Sequence, residues 1–376
     1  MKMLALRYLQ YDPLRTMLTA FAIGSVIAVI LVLEGFEQGQ YYQLEKIVFN
    51  RNADLVATQS GVTNFIAVRS SIPQLSRAEV ESVDGVIEAH PITAVPIIYS
   101  KGDIRTPVYV LVYDTKGGPS SIEIGSKIKN NRDIVIDRSL AKKYNIHLGD
   151  SFQVTDFEFK VSGFTAEAAF MMPFAFINYD GMLDLFIESQ IAPDLSTFPL
   201  LSYMLIEIKP GIDRLTVARN IEKKVSSVDV VTPEQLAQND VSMGKVFYGP
   251  IMGLLVTIGY TIGMLVVGLI MYSDVRSRLK SFAILKALGF PLSKLIIAVL
   301  LQSMFLLVIA IPIGIAIAIG LAIFIEAFYP VYLIRIFEPI VFTQTLLASG
   351  AFSLFGALIP LRLIQQSDPV MAFQGA

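Results

Sequence analysis

Four stretches of this 376-residue chain carry almost no charge: 16–33, 246–273, 295–325 and 339–361. A helix crosses the hydrocarbon core of a bilayer in about 20 apolar residues, so the pattern predicts four transmembrane helices. Between the first and the second the pattern changes. Strand-like patches at 53–57, 92–99, 107–113, 133–136, 151–154, 158–163 and 205–208 alternate with helical patterns at 76–83, 139–144, 179–186 and 215–225. Mixed strands and helices separated by turn signals predict one compact α+β domain over residues 36–245, long enough to bury a core.

Local signals sharpen a few boundaries. Ser76 with Glu79 fits a capping box, and Thr232-Pro233-Glu234-Gln235 fits a helix start. Pro312 is expected to kink the long third span. Residues 1–11 alternate apolar Leu4, Leu6, Tyr8 and Leu9 with Arg7, the pattern of a helix lying at the inner membrane interface. The run after Arg15 exceeds the 7–15 residues of a signal-peptide core and ends in Leu33-Glu34-Gly35-Phe36-Glu37, without a small-residue cleavage site, so it is read as a retained span.

Charge then orients the spans. Residues 274–294 carry Arg276, Arg278, Lys280, Lys286 and Lys294 against Asp274 alone, whereas residues 326–338 carry Glu326, Arg335 and Glu338. The positive-inside rule places the first loop in the cytoplasm and the second outside. Lys2, Arg7 and Arg15 place the N terminus inside as well. The predicted fold is a multi-pass α-helical membrane protein with four transmembrane helices and a large α+β extracytoplasmic domain inserted between helices 1 and 2. In segments it reads 1–15 interfacial, 16–35 span, 36–245 outer domain, 246–273 span, 274–294 cytoplasmic loop, 295–325 span, 326–338 outer loop, 339–361 span and 362–376 cytoplasmic tail.

Composition narrows the chemistry. Hydrophobic residues make up 54% and charged residues 16%, below the roughly 25% charged of soluble domains. A net charge of −2 argues against a nucleic-acid partner. With no cysteine, disulfides, thiolate metal sites and thiol catalysis are excluded. The two histidines, His90 and His147, read as surface or packing residues, and no metal site is expected. No Gly-x-x-x-x-Gly-Lys-[Ser/Thr] occurs, Gly244-Lys245-Val246 being the nearest fragment, so this chain is not expected to hydrolyse ATP. No catalytic residue is assigned.

Other positions admit two readings. Gly249/Gly253, Gly259/Gly263 and Gly314/Ala318 are each four apart, the spacing that lets helices approach closely, within one chain or at a homodimer seam. Glu34 and Glu326 sit at the outer ends of spans, facing water and headgroups or else contacting a cargo. Tyr41, Tyr42, Tyr329 and Tyr332 lie at the same level, as an aromatic belt, and Glu34, Tyr41, Tyr329 and Glu326 form the candidate substrate-entry set. After Arg15, the span interiors are expected to hold no charge to line a wet path.

The basic loop carries the most specific stretch, Ser281-Phe282-Ala283-Ile284-Leu285-Lys286-Ala287-Leu288-Gly289-Phe290. It resembles the I-x-I-L-K-A-[IL]-G cytoplasmic helix of the permease subunits of the macrolide-exporter (MacB/FtsX-like) class of ABC transporters. Ile359-Pro360-Leu361-Arg362 followed by Ser367-Asp368-Pro369-Val370-Met371-Ala372 is similar to that family's P…DP-x-x-A tail. Asp133 to Asp137, Leu140-Ala141, Leu148-Gly149-Asp150 and Phe159 to Phe164 resemble its outer-domain signature, and Leu14-Arg15-Thr16-Met17-Leu18-Thr19 its approach to the first span. Ser281 departs from the Glu common at that position. Within the class the chain is most similar to haem-efflux and heterocyst-glycolipid-exporter permeases.

The resemblance implies a homodimeric, non-catalytic permease of the bacterial cytoplasmic membrane, with both termini in the cytoplasm. Two copies of a separate ABC ATPase would bind ATP and magnesium, so no cofactor is implied in this chain. A membrane-fusion adaptor and membrane lipid are further implied partners. The helix around Ser281, Phe282, Ile284, Leu285, Lys286, Ala287, Leu288 and Gly289 would dock on the ATPase and pass its motion outward by mechanotransmission. The implied cargo is amphipathic or hydrophobic, a lipid, haem or peptide. The same architecture also serves non-transporting regulators of cell-wall hydrolases, and an unrelated membrane receptor is a third reading.

Overall fold

The computed structural model describes residues 13–66, 68–169, 171–190 and 200–366. The interfacial helix expected at 1–11 and the tail motif at 367–372 lie outside the described residues. Among the described residues, four helices are long and apolar enough to cross a membrane. They are α1 (Pro13–Phe49), α6 (Pro233–Ser277), α8 (Leu292–Phe328) and α9 (Pro339–Leu358), the last followed by the short α10 (Leu361–Gln366). With α7 (Leu279–Ala287) these form one compact unit over residues 13–39, 249–328 and 334–366; residues 40–248 and 329–333 form the other.

At 1.5 Å per residue, α1 is about 55 Å and α6 about 68 Å long, against about 30 Å of hydrocarbon. Both therefore run on, as single helices, into the second unit. Within α6 the helix continues through Pro250, and α8 continues as one element through Pro312. The bundle core gathers Ile23, Ile27, Val267, Met271, Phe282, Leu306, Ala310 and Phe352. Close approach is made by small residues: a Cβ on Gly24 would stand 2.9 Å from the Ala310 carbonyl oxygen, and one on Gly356 2.9 Å from the Gly268 nitrogen.

Among the described residues, the second unit holds an eleven-stranded mixed sheet, a separate two-stranded sheet of β2 and β11, and helices. In chain order the strands are β1 (Leu55–Gln59), β2 (Ile72–Pro73), β3 (Val86–Lys101), β4 (Ile104–Tyr113), β5 (Ile124–Gly125), β6 (Asp133–Asp137), β7 (Ser151–Val154), β8 (Phe157–Thr165), β9 (Ala168–Ala169), β10 (Met172–Asn178), β11 (Leu200–Leu201), β12 (Tyr203–Ile208) and β13 (Val228–Val231). The main path runs β13-β1-β12-β3-β4-β10-β6-β8-β5, parallel at β4/β10 and β6/β8 and antiparallel elsewhere. The helices of this unit are α2 (Ser76–Glu81), α3 (Arg138–Tyr144), α4 (Tyr179–Glu188) and α5 (Arg214–Lys224).

β10 escapes the alternation pattern because Met-Pro-Phe-Ala-Phe-Ile-Asn is apolar on both faces, as expected of a strand buried on both sides. The capping box at Ser76 does not form. Leu75 already has helical angles, so Ser76 lies inside the helix and its hydroxyl meets Ser227 Oγ at 3.2 Å. Thr232 does cap α6, its hydroxyl accepting from the Gln235 N–H at 3.2 Å. One core lies under α3 and α4 and a second under α2 and α5. A third packs the upper parts of α1 (Leu44, Ile47, Val48) and α6 (Leu236, Ala237, Val241) beneath the sheet residues Ile92, Leu111, Phe174 and Leu205. His90 is core, with its Nδ1 2.9 Å from Thr115 Oγ1, while His147 is exposed beside Asp150.

Candidate functional site

The loop between α6 and α8 folds as α7 with two distinct faces. α6 ends at Ser277, and Arg278 leaves helical angles, which re-aims the chain. Phe282, 2% exposed, and Ala283 enter the bundle core. Phe282, expected in the docking set, therefore anchors the helix instead: a helix with apolar residues nearly all round must bury one side, and the bundle is adjacent. Ser281, Ile284, Ala287 and Leu288 face outward at helical spacing, with Leu288 71% exposed, and Phe290 continues the patch. Leu285 is half-buried, and the Lys286 ammonium donates to the Gln365 carbonyl at 3.0 Å. Gly289, at φ +84°, supplies the left-handed residue that stops the helix.

Beside α7 lies a polar junction that the motif reading did not single out. Asp274 pairs with Arg278 at 3.2 Å and with Arg15 at 3.6 Å, and accepts from Gln302 Nε2 at 2.6 Å. Arg15 also donates to Ser277 Oγ at 3.1 Å. These groups line a cavity of about 310 Å³ with Thr16, Thr19 and Ser273. The signal was present in the sequence as a single acid in a basic loop.

At the other end of the bundle, Glu34 is only 7% exposed. Tyr260 donates to one of its oxygens and Thr345 to the other, the latter at 3.0 Å. Glu34 therefore joins α1, α6 and α9 from inside rather than facing open water. Thr345, Ser349 and Ser353 repeat every fourth residue on the buried side of α9, and Ser353 Oγ donates to the Ser303 carbonyl at 3.3 Å. Glu34 and Asp274, each just beyond an uncharged run, are both buried among the helices, with their hydrogen-bond partners supplied by neighbouring elements.

The other proposed access residues divide between the units, Glu326 lying in the first, with Glu34, and Tyr41 and Tyr329 in the second. Glu326 accepts from the Ile334 N–H at 2.8 Å and so closes the loop after α8. Tyr41 is buried in the second unit, under the sheet. Tyr329, in the same unit, is exposed and lies 5.8 Å from the Tyr332 ring. The glycine pairs divide as well. A Cβ on Gly263 would press Val26 at 2.9 Å and one on Gly259 would reach Ile30 at 3.4 Å, so this pair packs within the chain. Gly249 and Gly253 meet nothing within 4 Å. Among the described residues no cluster of three His, Asp or Glu side chains is arranged to hold a metal.

Residues 16–224 match the MacB-like periplasmic core domain, and residues 253–369 match the FtsX-like permease C-terminal domain. The chain belongs to the MacB/FtsX-like family of ABC transporter permeases. Two relatives are uncharacterised ABC transporter permeases, one of Mycobacterium tuberculosis, 23% identical over 377 residues, and one of Mycobacterium bovis, 22% identical over 374; each comparison covers 99% of both chains. Among solved structures, the extracellular domain of the noncanonic ABC-type transporter YknZ from Gram-positive bacteria aligns with a TM-score of 0.35 at 13% identity, covering 48% of this chain and 100% of that one. The periplasmic region of MacB from Actinobacillus actinomycetemcomitans aligns with a TM-score of 0.35 at 10% identity, covering 51% and 94%. As an ABC transporter permease, the chain is a membrane protein that works with an ATPase subunit.

Proposed function

We propose that this permease takes up displacement from a separate ATPase at α7 and passes it along α1 and α6 to the outer domain. The observation that carries the reading is the outward stripe of Ser281, Ile284, Ala287 and Leu288, held in place by the buried Phe282. An apolar stripe on a short helix beside basic residues suits a groove on a soluble partner. Ser281, where Glu is common in the family, bears on which ATPase fits.

The assembly is two permeases with two ATPases in the bacterial cytoplasmic membrane. Arg276, Arg278, Lys280 and Lys286 keep the α7 side, and hence both termini, in the cytoplasm. ATP and magnesium are held by the ATPase subunits. Gly249 and Gly253, open within the chain, suit a seam with the second copy or with lipid. The work done is export of an amphipathic or hydrophobic cargo such as a lipid, haem or peptide, with or without a membrane-fusion adaptor.

The test is gentle detergent extraction of the tagged permease, followed by mass spectrometry of the proteins and small molecules that come with it. An ATPase together with a lipid, haem or adaptor is expected. An ATPase accompanied by a cell-wall hydrolase would replace export by regulation of that hydrolase. Absence of any ATPase would remove the coupling role of α7.

A further inference from the structure

Among the charged side chains buried in the outer-domain unit, Arg51 and Asp240 sit on or just beyond the ends of α1 and α6 and bond to backbone groups of loops. Arg51 follows the end of α1 and is 2% exposed; Glu167 and Asp240 are equally hidden. Arg51 donates Nε to the Ile47 carbonyl at 3.1 Å, Nη1 to the carbonyls of Gly117 and Gly118, the second at 2.8 Å, and Nη2 to Glu167. Glu167 in turn accepts from the Ser120 N–H, and the Phe176 ring lies 5.2 Å from the guanidinium. The loop 117–120 is moulded to this grip. Gly117 has φ +89°, and a Cβ there would stand 2.1 Å from Ile92; one on Gly118 would stand 2.5 Å from the Tyr113 ring.

Asp240, on α6, does the same for a different loop. Both of its oxygens accept from the Phe65 N–H at 3.0 Å, and Oδ1 also accepts from the Ile66 N–H at 3.4 Å. Asn239 donates to the Thr63 carbonyl at 2.9 Å. Tyr203 and Tyr109 donate to the carbonyls of Phe65 and Ile66 from the sheet side. Loop 63–66 is thus fastened to α6 below and to β12 and β4 above.

We propose that Arg51 and Asp240 are positioning residues that fasten the emerging ends of α1 and α6 to two different loops of the outer domain, so that a shift of either helix carries its own loop with it. Apolar packing of Leu44, Ile47 and Val241 has no preferred register, because the hydrophobic effect is non-directional. Hydrogen bonds between the buried Arg51 guanidinium or Asp240 carboxyl group and backbone groups have one geometry, and a slip leaves these polar groups unpaired in the interior. The Arg51–Glu167 pair is poor evidence for stability, and its proposed use is to fix register. The Asp240 loop follows β1 and the Arg51 loop follows β4, with β12 and β3 between them in the sheet. Relative movement of the two helices therefore strains the strands between the two loops, β12 and β3, and the Tyr109 bond that ties loop 63–66 to β4, while joint movement carries the domain as one body.

This inference rests on the transmission reading above, and the experiment separates the two. The full-length permease, purified with its ATPase in nanodiscs, is compared by hydrogen exchange without nucleotide and trapped with ATP and vanadate. The variants are Arg51→Met with Glu167→Gln, Asp240→Asn with Asn239→Ala, and Asn239→Ala alone, a change at a half-buried position that leaves the buried groups in place. We expect wild type to show a nucleotide-linked exchange difference at β12 and β3. Each double variant should lower it at least about tenfold, since each removes more than one of the bonds that fasten its loop, with bound ATPase and basal hydrolysis unchanged; Asn239→Ala alone should lower it in part. A difference as large in the folded variants as in wild type overturns the fastening role. No difference in wild type with ATPase bound overturns the transmission reading, and the proposal with it.

Discussion

Thr345 Oγ1 donates to the Glu34 carboxylate at 3.0 Å, tying α9 to α1 across 311 residues of chain. With Tyr260 on the other oxygen, one carboxylate serves three helices. Removing it by Glu34→Ala leaves two buried hydroxyls without their acceptor. Interhelical hydrogen bonds in membranes contribute about 0.6 kcal/mol on average and up to about 1.7, so a loss of about 1–3 kcal/mol is expected. Glu34→Gln, which keeps an acceptor, should cost less. Thermal unfolding in detergent reads both. If alanine at Glu34, Tyr41 and Tyr329 together leaves export and ATPase stimulation unchanged, these residues have no part in cargo access.

The two faces of α7 respond differently to substitution. Ala287→Asp or Leu288→Asp places a charge on the outward stripe, so membrane insertion and melting should be preserved while ATPase co-purification and stimulated hydrolysis are lost. Phe282→Ala removes a buried ring and is expected to cost about 3–5 kcal/mol of stability. Retained coupling in Leu288→Asp would take the stripe out of the mechanism.

Glycine substitutions separate packing inside the chain from packing between chains. Gly356→Ala drives a methyl against the Gly268 backbone, which does not yield, and should lower the melting temperature clearly. Gly253→Leu meets nothing within the chain and should leave melting near wild type. The dimer fraction, read by native mass spectrometry or single-molecule bleaching, should fall in Gly253→Leu. An unchanged fraction would place the dimer seam elsewhere.

Asp137 caps α3 by accepting from the Ser139 N–H at 2.8 Å, while burial pushes its pKa up to about 7 against those favourable bonds. Burial raises the Asp240 pKa to about 7 as well. A raised folded pKa means that the folded state holds more protons than the unfolded one between the ordinary value of 3.8 and about 7. The contribution of these groups to stability is full below pH 3.8, shrinks as pH rises, and is gone above about 7. Asp137→Asn keeps the cap acceptor without titrating, so its unfolding curve should depend less on pH over that window. An identical dependence in wild type and variant would mean that Asp137 stays ionised throughout.

Most of the architecture was legible before any coordinates. Four uncharged runs, one asymmetric basic loop and a long mixed segment are one-dimensional signals, because a bilayer selects on length and charge alone. β10 was missed, since Met172–Asn178 is apolar on both faces and has no period to detect. The site was half legible. The motif located α7 correctly in the chain, but not which of its residues turn inward; Phe282 and Leu288 look alike in sequence and differ in burial because of where Arg278 bends the backbone.

The sequence by itself determined how many times the chain crosses the membrane, where the α+β domain is inserted and which loop bears positive charge. Each follows from composition over a window, so no fold is needed to read it. Only the tertiary structure decided that Glu34 and Asp274 lie inside the bundle, that Gly263 packs within the chain while Gly253 stays open, and that Arg51 and Asp240 grip backbone on distant loops. These depend on partners separated by up to 311 residues, brought within hydrogen-bonding distance only when helices and sheet pack. Whether a charge is satisfied is a property of the groups around it in space, and no local pattern of residues records that.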